Sequence, residues 1–435
     1  MQKQFSRALP VRIDTDVFIA GGGPAGVAAA LAASRLGKRV YLAEAGGMFG
    51  GAGTAGLVPT FCPFDDGVNV VADGIGYEIR KMISKDTPLF TFGTPIRVEE
   101  LKCAYDALMA ASSAEFTFFT PVVDAVSENG KIEYVVLSGK KGLFAAKAKI
   151  YIDCTGDGNL CAFAGAQFEM GDENGNVQPG TLCSLWADVD LKKRTFTDDS
   201  RLEDAFRDGV FSYMDRHLPG MFGPDDDSGY GGGNLGHTRN LDPLDERSIT
   251  EEMLLLRKTM PEFERYYKEY LIGFENMKLM KTADVLGIRE SRRIVCDYML
   301  NVNDFLKRSV FDDEIGRYCY PIDLHIKADD KERYEKFWSE FTGKYRYKPG
   351  ESYGIPYRSL CPKGFDTLLV AGRCVGTDRE MLASLRVMPG CFITGQAAGA
   401  AAAVCCEKED IRAFDIREIQ TGLKKLGAYL PNAKV

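Results

Sequence analysis

The stretch TDVFIAGGGPAGVAAALAASRLGKRVYLAEAG, Thr15 to Gly46, decides how the rest of the chain is read. Thr15 to Ala20 is a short, largely apolar run, suited to a strand buried on both faces of a parallel sheet. Pro24 to Leu36 is rich in alanine and reads as the following helix, and Arg39 to Ala43 reads as the next strand. Together they make one βαβ unit. Gly21, Gly23 and Gly26 fall in the G-x-G-x-x-G spacing between strand and helix. The first glycine permits a tight turn, the second lets backbone approach a pyrophosphate, and the third lets helix pack closely on strand. The helix start offers free N–H groups and a positive dipole end to the phosphates. Glu44 closes the second strand, placed to accept hydrogen bonds from a ribose diol. With no arginine between them, a 2′-phosphate there would be repelled.

Beyond Glu44 an NAD unit would run into another helical crossover. Instead Gly46, Gly47, Gly50, Gly51, Gly53 and Gly56 crowd eleven residues, which suits backbone laid against a long ligand and favours FAD. A merely flexible loop is the competing reading.

A chain of 435 residues is long enough for two or three lobes. With 54 Lys and Arg against 62 Asp and Glu, the net charge is −8, and no long basic tract offers itself to nucleic acid. The 12 cysteines are scattered, with no Cys-x-x-Cys pair for zinc, dithiol or iron–sulfur chemistry, so no metal centre is expected. This usage fits a reducing, cytoplasmic location. Val17 to Ala33 is apolar like a signal-peptide core, but Asp14 and Asp16 precede it directly and Gly21 to Pro24 break it. No stretch reaches the ~20 apolar residues of a membrane span. No oligomeric state follows from the sequence.

Val98 to Ala111 has helical spacing. Phe116 to Val126, Glu133 to Leu137 and Leu143 to Lys149 alternate like antiparallel strands, with turns at Asn129-Gly130 and Ser138-Gly139. Lys149 to Asp153 reads as a short strand entering Thr155. The expected division is a discontinuous dinucleotide-binding domain, residues 10–162 and 353–435, around a substrate-facing cap, residues 163–352. In the cap, Asp225 to Gly236 reads as a loop or lid and Ser248 to Leu271 as a helix. Sheet character returns at Thr367 to Ala371, and a small-residue helix runs from Gly390 to Cys405.

Thr15 to Gly56, Ile152 to Gly158, "GIRESRRIV" (287–295), "YPIDLH" (320–325), "YGIPYRSL" (353–360), "LLVAGRCVG" (368–376) and "RVMPGCFITGQAAG" (386–399) together resemble the FAD-dependent oxidoreductase family with a glutathione-reductase-type FAD domain. More distant similarity extends to fumarate reductase and heterodisulfide reductase flavoproteins. The resemblance implies an α/β fold, a three-layer Rossmann-like FAD/NAD(P)-binding domain with an inserted α+β lobe, and noncovalent FAD. It implies that Gly21, Gly23, Pro24, Ala25, Gly26, Glu44 and Ala45 hold the ADP half and that Gly50 and Gly51 lie beside the pyrophosphate. Val123 would touch adenine through its backbone. Thr155, Gly156 and Asp157 resemble the family's central turn, with Cys154 where alanine is common. Gly372 and Arg373 stand where relatives carry Gly-Asp, which would turn Arg373 to the pyrophosphate. The helix start near Gly390 to Gly395 would face the flavin pyrimidine.

A flavin enzyme acting on a small molecule also needs groups that orient substrate and move protons. Of three histidines, His325 is the first candidate acid or base; a structural histidine is the equal alternative. His237 ranks below it and His217 lower still. Arg289, Glu290, Ser291, Arg292 and Arg293 read as helical, with Arg289 and Arg292 on one face. They form either an ion-pair patch or a carboxylate-binding site. Arg386, just ahead of the flavin-facing helix, is the leading substrate-side arginine, with Tyr357 and Arg358 behind it. A small polar substrate, carbohydrate-like or a hydroxy or carboxylic compound, is the expected partner. The alternative is an electron-transfer flavin module without its own substrate site.

Overall fold

The computed structural model describes residues 6, 8–84, 93–194, 197–223, 228–327, 329–341 and 344–435. Strand β1 (Val11–Ala20), helix α1 (Pro24–Arg35) and strand β2 (Val40–Ala43) form the expected unit, with β1 and β2 parallel. Val17 to Ala20 and Val40 to Ala43 are all buried, the condition under which a strand can be apolar without alternation.

A seven-stranded sheet grows outward from this unit. Glu115–Thr117 pairs parallel with β2 on one side, and Gly142–Asp153 pairs parallel with β1 on the other. The long strand Gly142–Asp153 serves two partners along its far edge. Its first half is antiparallel to Lys131–Gly139, and its last residues, Tyr151 to Asp153, run parallel with Leu368–Val370. The sequence reading split this strand at Lys149; only one face changes neighbour there, so the backbone has no reason to break. Conversely, the single strand expected from Phe116 to Val126 is two. Phe119 has φ +53° and Pro121 cannot donate to a ladder, so pairing stops and resumes at Val122–Glu128. The first hairpin turns at Asn129-Gly130, both with positive φ. The second turns at Lys140-Lys141, since Gly139 still pairs with Gly142.

The sheet's covering layer explains the alanines. α1 is buried along all but its last residue, and the helix Met388–Cys405 packs against it. A Cβ on Gly395 would lie 2.1 Å from the Ala25 carbonyl oxygen, and one on Gly399 would lie 2.2 Å from that of Ala29. The helices therefore touch backbone to backbone, and a larger residue at either glycine costs ~1–3 kcal/mol or more in overpacking. Met388–Cys405 has the length and apolarity of a short membrane span, yet 94 % of it is buried inside the protein.

A second, four-stranded sheet, in the order Gly220–Phe222, Tyr230–Asn234, Ser184–Ala187 and Lys278–Thr282, belongs wholly to residues 184–282. The helix Glu246–Tyr270 packs on it around Trp186, Tyr266, Tyr267 and Phe274. The Asp- and Gly-rich segment read as a lid contributes a central strand of this sheet; its residues 225–227 lie outside the described residues. Glycine is dictated there by crowding. A Cβ on Gly232 would meet Pro59 at 2.4 Å, and one on Gly231 would meet Met221 at 2.7 Å. The arginine run is not helical either. Gly287 bridges Thr181, residues 288–292 are irregular, and the run leads into Arg293–Ile294, which pairs with Phe168–Glu169.

Candidate functional site

The three glycines of the first turn do different work. Gly21 has φ +93°, and a Cβ there would sit 2.6 Å from the Cys154 oxygen; one on Gly26 would sit 1.8 Å from the Gly21 oxygen. These two are packing requirements. At Gly23 a Cβ would meet nothing within 4 Å, so this glycine fronts open space. Gly23 also caps α1 without any side-chain hydrogen bond, which leaves the first helical N–H groups turned toward that space. Gly50 (φ +99°) and Gly51 (φ +46°) complete the cradle, and a Cβ on Gly51 would lie 3.4 Å from the Gly23 Cα. Glu44, followed by Ala45, accepts from the backbone N–H of Gly22 (2.5 Å) and of Gly46 (2.6 Å), which fixes its carboxylate at the mouth of the turn. An uncapped helix start beside a side-chain-free floor and a fixed carboxylate fits the pyrophosphate and ribose of FAD.

The second turn is held by the buried Asp153, which accepts from Thr155 N (2.9 Å), Thr155 Oγ1 (2.7 Å) and Cys161 N (2.8 Å). Burial raises this carboxyl's pKa against those bonds. Gly156 follows with φ +80°, and Asp157 then pairs with Arg373 at 2.7 Å and accepts from the Ser291 hydroxyl at 2.7 Å. Arg373 is thus tied to the central turn. Gly372 (φ +83°) abuts Ala25, its Cβ position 3.0 Å from that residue's methyl group. Val123 is part-exposed in its strand at 39 %. Gly395 stands inside the helix against Ala25, where its observed role is packing.

The arginine run sends its side chains to different places. Arg289 is buried, donating to Pro179 O (2.7 Å) and Thr181 Oγ1 (2.8 Å). Burial, then the charge of Arg386, lowers its pKa to about 10. Glu290, fully buried, pairs with Arg293 (2.5 Å) and Arg379 (3.1 Å) and accepts from Gln178 N (2.9 Å). Arg292 points to the FAD domain, donating to Asp157 O and Asn159 Oδ1, each at 2.9 Å. The expected pairing of Arg289 with Arg292 on one face therefore fails, because the segment is not helical and the two side chains go to different partners. Tyr357 donates to Ile411 O and Arg358 pairs with Asp313, which accounts for both without a pocket role.

Around Arg386 the structure gathers what the sequence scattered. Arg386 donates to the Asp323 carbonyl (3.0 Å) and reaches its carboxylate (3.4 Å). Asp323 Oδ2 faces His325 Nε2 (3.3 Å), and the backbone N–H of His325 donates to Gln178 Oε1 (3.1 Å). Burial would raise the Asp323 carboxyl, but His325 and Arg386 outweigh it and hold the group well below the usual range. Burial, reinforced by Arg289, pushes His325 well below its usual value, against the pull of Asp323. His217 and His237, ranked low from sequence, stand against His325, with ring centroids 4.5 and 5.2 Å away. His217 is lowered to about 3, by burial first and His237 second. Two donors here are buried with no hydrogen-bond partner, Arg386 Nε and Gln178 Nε2. All 12 cysteines are free, and burial pushes Cys62, beside Tyr320 and Arg386, up to about 12, which withholds the thiolate that disulfide chemistry needs.

The parallel sheet, the glycine turn with its open floor and the second turn at Thr155 define a Rossmann-like FAD-binding flavoprotein. The profile of the family described as FAD dependent oxidoreductase matches residues 16–423, and the chain belongs to that family. Among solved structures the chain is similar to a geranylgeranyl bacteriochlorophyll reductase-like protein from Thermoplasma acidophilum (13 % identity, 95 % of this chain and 83 % of that one, TM-score 0.49). It is similar also to p-nitrophenol 4-monooxygenase from Pseudomonas putida (12 % identity, 96 % and 91 %, TM-score 0.46) and to a flavin-dependent brominase (11 %, 95 % and 83 %, TM-score 0.48). No curated protein matches. The protein is an FAD-dependent oxidoreductase.

Proposed function

We propose that the enzyme oxidises or reduces a small polar metabolite bearing a hydroxyl or carboxyl group, bound beside Arg386. The observation that carries this is the pair of buried, unpartnered donors, Arg386 Nε and Gln178 Nε2. Burying such donors unpaired costs roughly 1–3 kcal/mol each, so the pocket is built for an acceptor oxygen. Both are tied to the same short segment, Gln178 through the His325 backbone and Arg386 through Asp323. FAD, when bound, supplies hydride transfer.

The chain's own groups orient and deprotonate. Arg289 and Arg386 supply two positive charges that bind a carboxylate or polarise a carbonyl. The His325 and Asp323 pair takes or returns the hydroxyl proton, with Asp323 fixing the ring through Nε2. Glu290 positions Gln178, and Gln178 positions His325.

The test is anaerobic mixing of the FAD-loaded enzyme with polyols, sugars and hydroxy acids. Bleaching of the flavin band by a member of the panel is the expected result. Flavin that stays oxidised with all of them, but is reoxidised from its reduced form by an unsaturated acid, would replace the dehydrogenase reading with a reductase one. A panel inert in both directions favours the electron-transfer module.

A further inference from the structure

Three histidines far apart in sequence bring one ring nitrogen each to within 4.8 Å of the others. Each ring is also held from its outer side. His237 Nδ1 faces Asp215 Oδ1 (3.3 Å), His325 Nε2 faces Asp323 Oδ2 (3.3 Å), and His217 Nδ1 lies 2.8 Å from the Tyr334 hydroxyl. Between the first two rings, His237 Nε2 and His325 Nδ1 stand 3.1 Å apart.

Asp215 and Asp323 hold the outer nitrogens of His237 and His325. The inner nitrogens, His237 Nε2 and His325 Nδ1, are left facing each other across 3.1 Å, a gap that a shared proton or a metal ion can occupy.

The third histidine separates these. A shared proton needs two rings only, whereas a metal ion uses all three. With Zn–N bonds of ~2.0–2.1 Å, two ligands of a tetrahedral ion lie about 3.3–3.4 Å apart, close to the observed gap. A hydrogen-bond partner on the far nitrogen of every ring is the pattern by which metal-ligating histidines are oriented. Stacking of His217 on Trp338 (centroids 5.7 Å) and on His237 (5.0 Å) fixes the rings further. A cleft of about 460 Å³ lined by Asp199, His217, Leu218, Tyr334, Glu335 and Trp338 gives entry from solvent.

We propose that His217, His237 and His325 bind one divalent transition-metal ion, Zn²⁺ by donor type, with a position left for water or a substrate oxygen. Arg289 and Arg386 already offset Asp215 and Asp323, so the ion's charge is balanced by a hydroxide, an alkoxide or a carboxylate in that open position. This deepens the proposed function at the same pocket and rests on it only for the identity of the oxygen ligand. With the ion on Nδ1, His325 is a ligand in place of the base named above, and a substrate hydroxyl binds the ion by giving its proton to the bound hydroxide, which leaves as water.

The test reads metal alone. Tag-free, FAD-loaded protein is stripped with chelator and titrated with Zn²⁺ against a chromogenic competitor, and Co²⁺ is added separately as a visible probe. One Zn²⁺ per chain is expected, with Co²⁺ bands of low-coordinate type to the red of the flavin. His237→Gln and His325→Gln should abolish both, and Asp215→Asn should weaken Zn²⁺ binding ~10–100-fold while FAD content stays at one per chain. Wild-type protein that binds no stoichiometric ion overturns the proposal in favour of a shared proton. Unchanged affinity in both histidine variants overturns it too. Because neither readout involves turnover, an inert substrate panel leaves the metal result standing.

Discussion

The glycine turn and the histidine–arginine pocket are built in opposite ways. The turn is local: Gly21 to Glu44 is one continuous segment whose geometry follows from φ values and close backbone contacts. The second is a cluster of Gln178, His217, His237, Arg289, Asp323, His325 and Arg386, residues far apart in sequence and joined only by folding. A cofactor common to a family can be held by a fixed local motif. Substrate chemistry is set by residues the fold brings together, and these are free to differ. Changes at Gly23 or Glu44 should therefore remove or weaken FAD and leave the fold, and changes at Arg386 should slow chemistry and leave FAD.

The largest effect is expected at Gly23→Val. Its Cβ position meets nothing within 4 Å and its φ of −68° suits any residue, so the protein should fold. The added methyls would occupy the pyrophosphate space, and FAD occupancy after gel filtration should fall to near zero. Full occupancy would break the assignment of the turn.

Arg386→Lys comes next. A planar fork bonded to Asp323 becomes a point charge, and losing a hydrogen bond to a charged group costs ~1.5–3 kcal/mol, so single-turnover flavin reduction should slow ~10–100-fold. FAD content should be unchanged. Glu44→Gln should have a smaller effect. It turns charge-assisted bonds at Gly22, Gly46 and the ribose into neutral ones, and FAD affinity should fall ~10-fold in equilibrium titration, about 1.4 kcal/mol. Arg292→Gln should be the mildest, with turnover within about twofold of wild type, because its contacts are to Asp157 and Asn159, away from His325. A large loss of turnover in Arg292→Gln with FAD retained would place that arginine back in the pocket.

The same contrast explains what could be read in advance. The βαβ unit, the hairpin at Asn129-Gly130 and the small-residue helix ending at Cys405 are legible because glycine turns and apolar periodicity are local signals, whereas the last helix, Ile416–Lys425, is not foreseen. The arginine run reads as a helix because Ile288 to Arg293 contains no breaker, while in the fold its ends are held by partners distant in sequence, Thr181 at Gly287 and Phe168–Glu169 at Arg293–Ile294. The glycines at 231–233 looked like a loop because the neighbours that exclude side chains there, Met221 and Pro59, are distant in sequence or in another element. Asp323, two residues before His325, could have been found as its partner from "YPIDLH". Nothing in the spacing of 217, 237 and 325 announces a cluster, since these positions meet only when the four-stranded sheet and the segment after Glu314–Tyr318 pack together.

The most direct test of the division of labour is FAD stoichiometry and anaerobic single-turnover rate measured side by side on wild type, Gly23→Val and Arg386→Lys. The expected result is one FAD per chain with fast flavin reduction in wild type, none in Gly23→Val, and one with slowed reduction in Arg386→Lys. An Arg386→Lys enzyme that loses its FAD, or that keeps both FAD and the wild-type rate, would contradict the account.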